Sequence, residues 1–179
     1  MEIKIIQDLR GVYDFMSGAI LRPDDVSKAL ADAVLMVSNG ADGNNEVQRY
    51  FGEKVKAGET HAFLQLAETP ISETGTQNEI VQVRGNVIIA AKLAETKITN
   101  EVRIQYSDEV WKKTLKLMGR LKTAGDFYEK QLGDNPDGYD CKIKTDGIIS
   151  PVHRMSNAVV VGWYFEFEVE FAVNGLMYE

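Results

Sequence analysis

The sequence predicts an α+β fold: a mainly antiparallel sheet of about four strands packed against two or more helices and closed by a long C-terminal strand. Two patterns carry that prediction. From Val159 to Val173 the residues alternate without a break: Val159, Val161, Trp163, Phe165, Phe167, Val169, Phe171 and Val173 point one way, and Glu166, Glu168 and Glu170 stand among the residues pointing the other. Period-two alternation places successive side chains on opposite faces of a strand, so one face is apolar and aromatic and the other carries a glutamate column. At about 3.4 Å per residue this strand reaches roughly 50 Å, long enough to overhang its own domain and seek a neighbouring subunit. The second pattern is helical. Val110, Trp111, Leu115, Leu117, Met118 and Leu121 fill one broad arc, with Lys112, Lys113, Lys116 and Arg120 opposite.

Along the chain, Ile3, Ile6, Leu9, Val12 or Tyr13, and Met16 recur at the spacing of a first helix or strand. A helix is then expected from Pro23, with Asp24 and Asp25 at the positive end of its dipole and Val26, Ala29, Leu30, Ala33, Val34 and Val37 on its apolar face. Ser38-Asn39-Gly40 stops it, 39–45 reads as a polar loop, and 46–56 has room for a short helix around Val47, Tyr50, Phe51 and Val55. His61 to Leu66 reads as a strand, Thr69 to Asn78 as a loop, and Ile80 to Ala91 as a strand with a bulge or bend at Gly85-Asn86. Ile98, Val102 and Ile104 continue as an extended segment. Ser107 then caps a helix that bends or ends at Gly125, with a further turn or two before Gly133. A turn-rich loop at 134–138 precedes a strand from Cys141 to Ile149. The chain is read as one domain over 1–179, with 1–57 a largely helical N-terminal segment and 58–179 the sheet with its packed helix.

Composition narrows the function. The 179 residues include 20 basic and 27 acidic side chains, a net charge of −7 that argues against broad binding to nucleic acid or anionic membrane. A single cysteine, Cys141, and two histidines, His61 and His153, cannot build a disulfide framework or a cysteine–histidine zinc cage. With no apolar run of membrane-spanning length and no secretory leader pattern, a cytoplasmic, reducing location is expected. No cofactor is called for.

Candidate sites are few. Asp134 to Asp140 resembles a calcium loop, but proline or tyrosine falls on a ligand position in either register. Asp42, Asn44, Glu46 and Glu53 sit at calcium-loop offsets one, three, five and twelve, with Val47 where the turn needs glycine. Both read as turns and solvated loops. Glu166, Glu168 and Glu170, about 7 Å apart at alternate positions, come within range of paired catalytic carboxylates. On an exposed strand such a column more often discourages edge-to-edge aggregation. A third use joins it to the basic helix face: Glu166, Glu168 and Glu170 pairing with Lys112, Lys116 or Arg120 of another subunit. The basic stripe could also grip a phosphate backbone, but four cations on one helix of an acidic chain read as its wet face. Cys141 reads as an inert thiol in a strand and the histidines as structural or exposed.

The order of these elements, with the apolar strand Val81-Gln82-Val83 to Ile89, the helix Glu109-Val110-Trp111 to Leu121 and the closing Gly162-Trp163-Tyr164-Phe165-Glu166-Phe167-Glu168-Val169, resembles bacteriophage tail terminator or tail-completion proteins. The resemblance covers His61 to Val173. It implies a ring-forming structural protein of a phage or prophage virion, whose sheet and long loops contact the tail tube and the head-side connector. The family has no invariant catalytic motif, so no site residue is carried over. The expectation is therefore a non-enzymatic homo-oligomeric assembly protein. Its rival is a small-molecule-binding domain or enzyme using a cleft between sheet and helix, with Glu166, Glu168 or His153 as polar groups.

Overall fold

Two fifteen-residue strands form the spine of the structure. In the computed structural model, which describes residues 6, 8–23, 29–37, 40–66, 71–73, 78–94, 99–132, 142–152 and 160–174, β4 (Asn78–Lys92) and β7 (Val160–Asn174) pair antiparallel over their whole length. Around them stand β1 (Ala33–Val37), β2 (Thr60–Leu66), β3 (Ile71–Glu73), β5 (Lys142–Thr145) and β6 (Ser150–Pro151). The sheet order is β1-β2-β4-β7-β5, with β3 on β4 and β6 on β7, and among the described residues only the β1–β2 pair is parallel. Three helices, α1 (Leu9–Leu21), α2 (Gly40–Glu53) and α3 (Asn100–Leu132), complete the described residues. The fold is α+β with a mostly antiparallel sheet.

The alternation read in the terminal strand is real. Phe165, Phe167, Val169 and Phe171 are buried on one face, against Val83, Val87 and Ile89 of β4 and Val110, Leu117 and Leu121 of α3. α1 closes the same core with Val12, Met16 and Ile20, one residue per turn, after Asp8 accepts a hydrogen bond from the Gly11 amide at 2.6 Å as its N-cap. The opposite face holds a smaller core: Val47, Phe51 and Val55 from α2 and the turn after it meet Val37, Phe63, Ile88 and Ala90. That cover stops short. The rest of this face carries the glutamate column.

Several expectations change. Of the helix expected from Pro23 to Val37, residues 24–28 lie outside the described residues and the end is β1, whose run Ala33-Val34-Leu35-Met36-Val37 pairs with His61 to Gln65 of β2. An apolar run of that kind satisfies a helical face and a buried strand alike; the clamp at its start decides. Asp32 donates its amide to the Thr60 carbonyl at 2.7 Å, and its carboxylate accepts the Thr60 amide at 2.8 Å. Within 1–57 the described residues thus hold the two helices α1 and α2 with the five-residue β1 between them. Residues 40–45 belong to α2 rather than to a loop, and β3 lies inside the expected loop 69–78.

Within the sheet β7 does not outrun its neighbour, because β4 matches it residue for residue. Gly85 is no bulge in that ladder: it stands opposite Phe167 in unbroken register. A Cβ there would lie 2.3 Å from the Gln65 carbonyl oxygen and 3.0 Å from Phe167 Cζ, so the glycine serves close approach. α3 begins seven residues before Ser107, and its first turn is capped by Thr99, whose Oγ1 accepts the Val102 amide at 3.3 Å. Val102 and Ile104 are thus helical, and the helix continues through Gly125 to Leu132. The strand expected over 141–149 is shortened to β5, with Gly147 at φ +73° in the turn that follows.

Candidate functional site

The glutamate column sits in a cross-strand ladder built by register. On the face away from α3, Gln82, Arg84 and Asn86 of β4 stand opposite Glu170, Glu168 and Glu166 of β7, and Lys144 of β5 stands opposite Glu168. Arg84 Nε donates to Glu168 at 2.8 Å, Gln82 Nε2 to Glu170 at 2.7 Å, and Lys144 Nζ to Glu170 at 3.2 Å and Glu168 at 3.4 Å. Arg84 Nη2 also reaches Gln82 Oε1 at 3.3 Å. Partial burial pushes the Glu168 carboxyl up, but the hydrogen bonds, first of all that from Arg84, outweigh it and hold the group below its ordinary range. Lys144 is raised above the usual lysine value, chiefly by its hydrogen bond to Glu170. Beside the ladder, Arg84, Asn86, Lys144, Asp146, Glu166 and Glu168 line an open groove of about 490 Å³.

The sequence-predicted interface residues therefore fall on two surfaces. Glu166, Glu168 and Glu170 lie on one face of the sheet, and Lys112, Lys116 and Arg120 on the helix that covers the other. Within the chain they do not meet. Glu168 and Glu170 are held by Arg84, Lys144 and Gln82, partners that sequence reading missed although Gln82, Arg84 and Asn86 keep the same period-two polarity. Lys112 bonds Asp108 one turn back at 2.6 Å. Arg120 is only partly exposed and donates to the carbonyls of Ala19 at 2.6 Å and Arg22 at 3.0 Å, at the negative end of α1.

α3 also departs from its expected phase. The line that meets the core is Val110, Thr114, Leu117 and Leu121, with the Thr114 hydroxyl returned to the Val110 carbonyl at 2.9 Å. Trp111 and Leu115, expected inside, are 37% and 43% exposed, and Ile104 is 69% exposed. The apolar arc spans about half the helix circumference, more than one sheet face can cover. Trp163 fixes the helix from below, its Nε1 donating at 3.1 Å to the Ser107 carbonyl and hydroxyl.

His61 belongs to the small core. It is 6% exposed, with Nε2 3.3 Å from Glu59 and its ring centroid 5.7 Å from that of Tyr50 and 6.4 Å from that of Phe51. The Glu59 carboxyl is held below its ordinary range by the Lys56 amide first, against burial, and then by His61. Residues 42–53 are helical, so the calcium-loop offsets found there do not form a loop. Among the described residues no group of three or more histidine, cysteine, aspartate or glutamate side chains is placed to hold a metal ion, and no helix is long and apolar enough to cross a membrane. Cys141, His153 and the loop 134–140 lie outside the described residues. No protein-family model and no curated protein matches the chain.

Proposed function

We propose that the chain is a non-enzymatic structural or assembly protein that works through protein–protein contacts as a homo-oligomer, in the manner of a phage or prophage tail terminator-like component. The observation that supports this reading is the uncovered apolar stripe of α3. Ile104, Trp111 and Leu115 stand in solvent on a helix whose neighbouring line of residues is fully used by the core. Exposed apolar side chains scattered singly are ordinary; a stripe that includes a tryptophan is the composition of a contact surface. The order of elements, similar to tail-completion proteins, supplies the kind of partner: further copies of the chain, then a tail tube or connector protein. Sedimentation of the purified chain, followed by crosslinking with candidate tail proteins, tests the proposal. A strict monomer that binds none of them and turns over a small molecule sinks it.

One observation favours the rival. The groove beside the ladder presents two cations and several carboxylates within about 490 Å³ of open space, room for a small polar ligand. It lies on the sheet face away from α3, whereas the space between sheet and α3 is filled by Val110, Leu117, Leu121 and the phenylalanines of β7.

A further inference from the structure

We propose that two copies of this chain pair through α3, with the two helices antiparallel about a twofold axis close to Trp111 and Lys112. The proposal rests on the self-association reading above and names the surface that carries it. On a helical wheel Ile104, Trp111 and Leu115 fall within an arc of about 40°, a narrow seam of the kind that meets an identical helix. Along the exposed side of the same helix charge is segregated by position. Among its exposed described side chains, over 100–124, Glu101, Asp108 and Glu109 come first and Lys112, Lys116 and Lys122 follow, with Asp108 bonded to Lys112 and Glu109 to Lys113 within the chain.

This segregation selects the direction. A parallel pair would set acid against acid and base against base, whereas an antiparallel pair sets each acidic half against a basic half and opposes the helix dipoles. With the axis between Trp111 and Lys112, Glu101 of one copy falls level with Lys122 of the other, and Ile104 level with Gly119. Gly119 suits that position: a Cβ there would meet nothing within 4 Å in its own chain, so its surface is open for a partner side chain to approach. The contact is isologous, each half appearing twice, and two tryptophans lie beside the axis, where aromatic anchors contribute most. One helix pair is small for a specific interface, so the dimer forms reversibly with concentration.

Sedimentation velocity of the full chain at protein concentrations from about 1 to about 100 µM tests this. A monomer–dimer equilibrium is expected for the parent chain. Leu115→Glu, and independently Ile104→Glu at the most exposed position of the seam, should each weaken association at least about tenfold with an unchanged circular dichroism spectrum. Glu101→Lys or Lys122→Glu alone should weaken it about threefold, and the two together in one chain should restore it. Dimers unaffected by Leu115→Glu and Ile104→Glu would overturn this surface while leaving self-association intact. Charge reversals that add instead of compensating would overturn the antiparallel register. A parent chain monomeric throughout the range would overturn both the pairing and the reading beneath it.

Discussion

Replacing Gly85 by alanine tests the central ladder at its tightest point. The added Cβ would stand 2.3 Å from the Gln65 carbonyl oxygen, on β2, and 3.0 and 3.1 Å from Phe167 Cζ and Cε1, on β7. Unstrained carbon–oxygen contacts begin above about 3 Å, so β2 must move by roughly 0.7 Å or more, against a ladder whose strands are spaced about 4.8 Å apart. The Phe167 ring can swing; the Gln65 backbone is tied by its own pairing. Overpacking of this kind destabilises by about 1–3 kcal/mol, and the unfolded chain loses freedom that returns about 0.4–1 kcal/mol. The net expectation is a loss of about 1–2 kcal/mol, read as a lower urea midpoint at unchanged slope and a melting temperature lower by about 2–8 °C. Phe167→Leu in the same chain should relieve only the ring contact, so the pair should couple without full recovery. Gly18→Ala is the control. In the middle of α1, with nothing within 4 Å of the added carbon, it should raise stability by about 0.5–1 kcal/mol. A Gly85→Ala chain as stable as its parent would show that the strands do not approach as described, and the argument from close contact would fail.

Other consequences follow from the same packing. Phe165→Ala should cost about 3–5 kcal/mol through lost burial and a cavity, whereas Glu166→Ala on the other face should change urea stability by less than about 0.5 kcal/mol; equal losses would reverse the facing of β7. Lys92 donates to the carbonyls of Phe51 at 3.0 Å and Val55 at 2.9 Å, so Lys92→Met should lower stability by about 1–2 kcal/mol and speed amide exchange in α2 before other elements. Because the folded Glu168 carboxyl lies below its unfolded value, the stability it contributes is present above the ordinary carboxylate range and is lost as pH falls through the folded value. The parent should therefore lose slightly more stability on acidification than Glu168→Gln, by less than about 1 kcal/mol since Arg84 and Lys144 are more than half exposed, and salt should narrow the gap. Identical acid profiles would show that the ladder contributes nothing.

What the sequence could show follows from the range of the interactions involved. β7 is legible because its alternation persists through aromatic residues that have one sensible destination, and Phe165, Phe167, Val169 and Phe171 are buried as read. β1 is not, because Ala33 to Val37 suits both periods and the deciding contact, the Asp32–Thr60 clamp, joins residues 28 apart. Thr99 and Ser107 are both competent N-caps, and no local rule prefers the earlier one. Gly85 reads as a bulge because a glycine inside a strand has two common causes, and only the neighbouring carbonyl tells them apart.

Separation along the chain hides the candidate site as well. The glutamate column is visible in one short stretch, but the partners of Glu168 come from 84 residues away in Arg84 and 24 in Lys144, so the sequence shows charges without showing that Glu168 and Glu170 are already matched. Once they are matched inside the chain, that sheet face has less to offer an intermolecular ion pair than its glutamates suggest. A partner must displace or join Lys144 and Arg84, which returns little in water. The apolar stripe of α3 differs in kind. Ile104, Trp111 and Leu115 gain by burial against any complementary apolar surface without first giving up a partner, and their gain scales with area instead of being screened by salt. For self-association the balance therefore favours the helix over the glutamate face, and association driven by that stripe should persist at salt concentrations that weaken the cross-strand ladder.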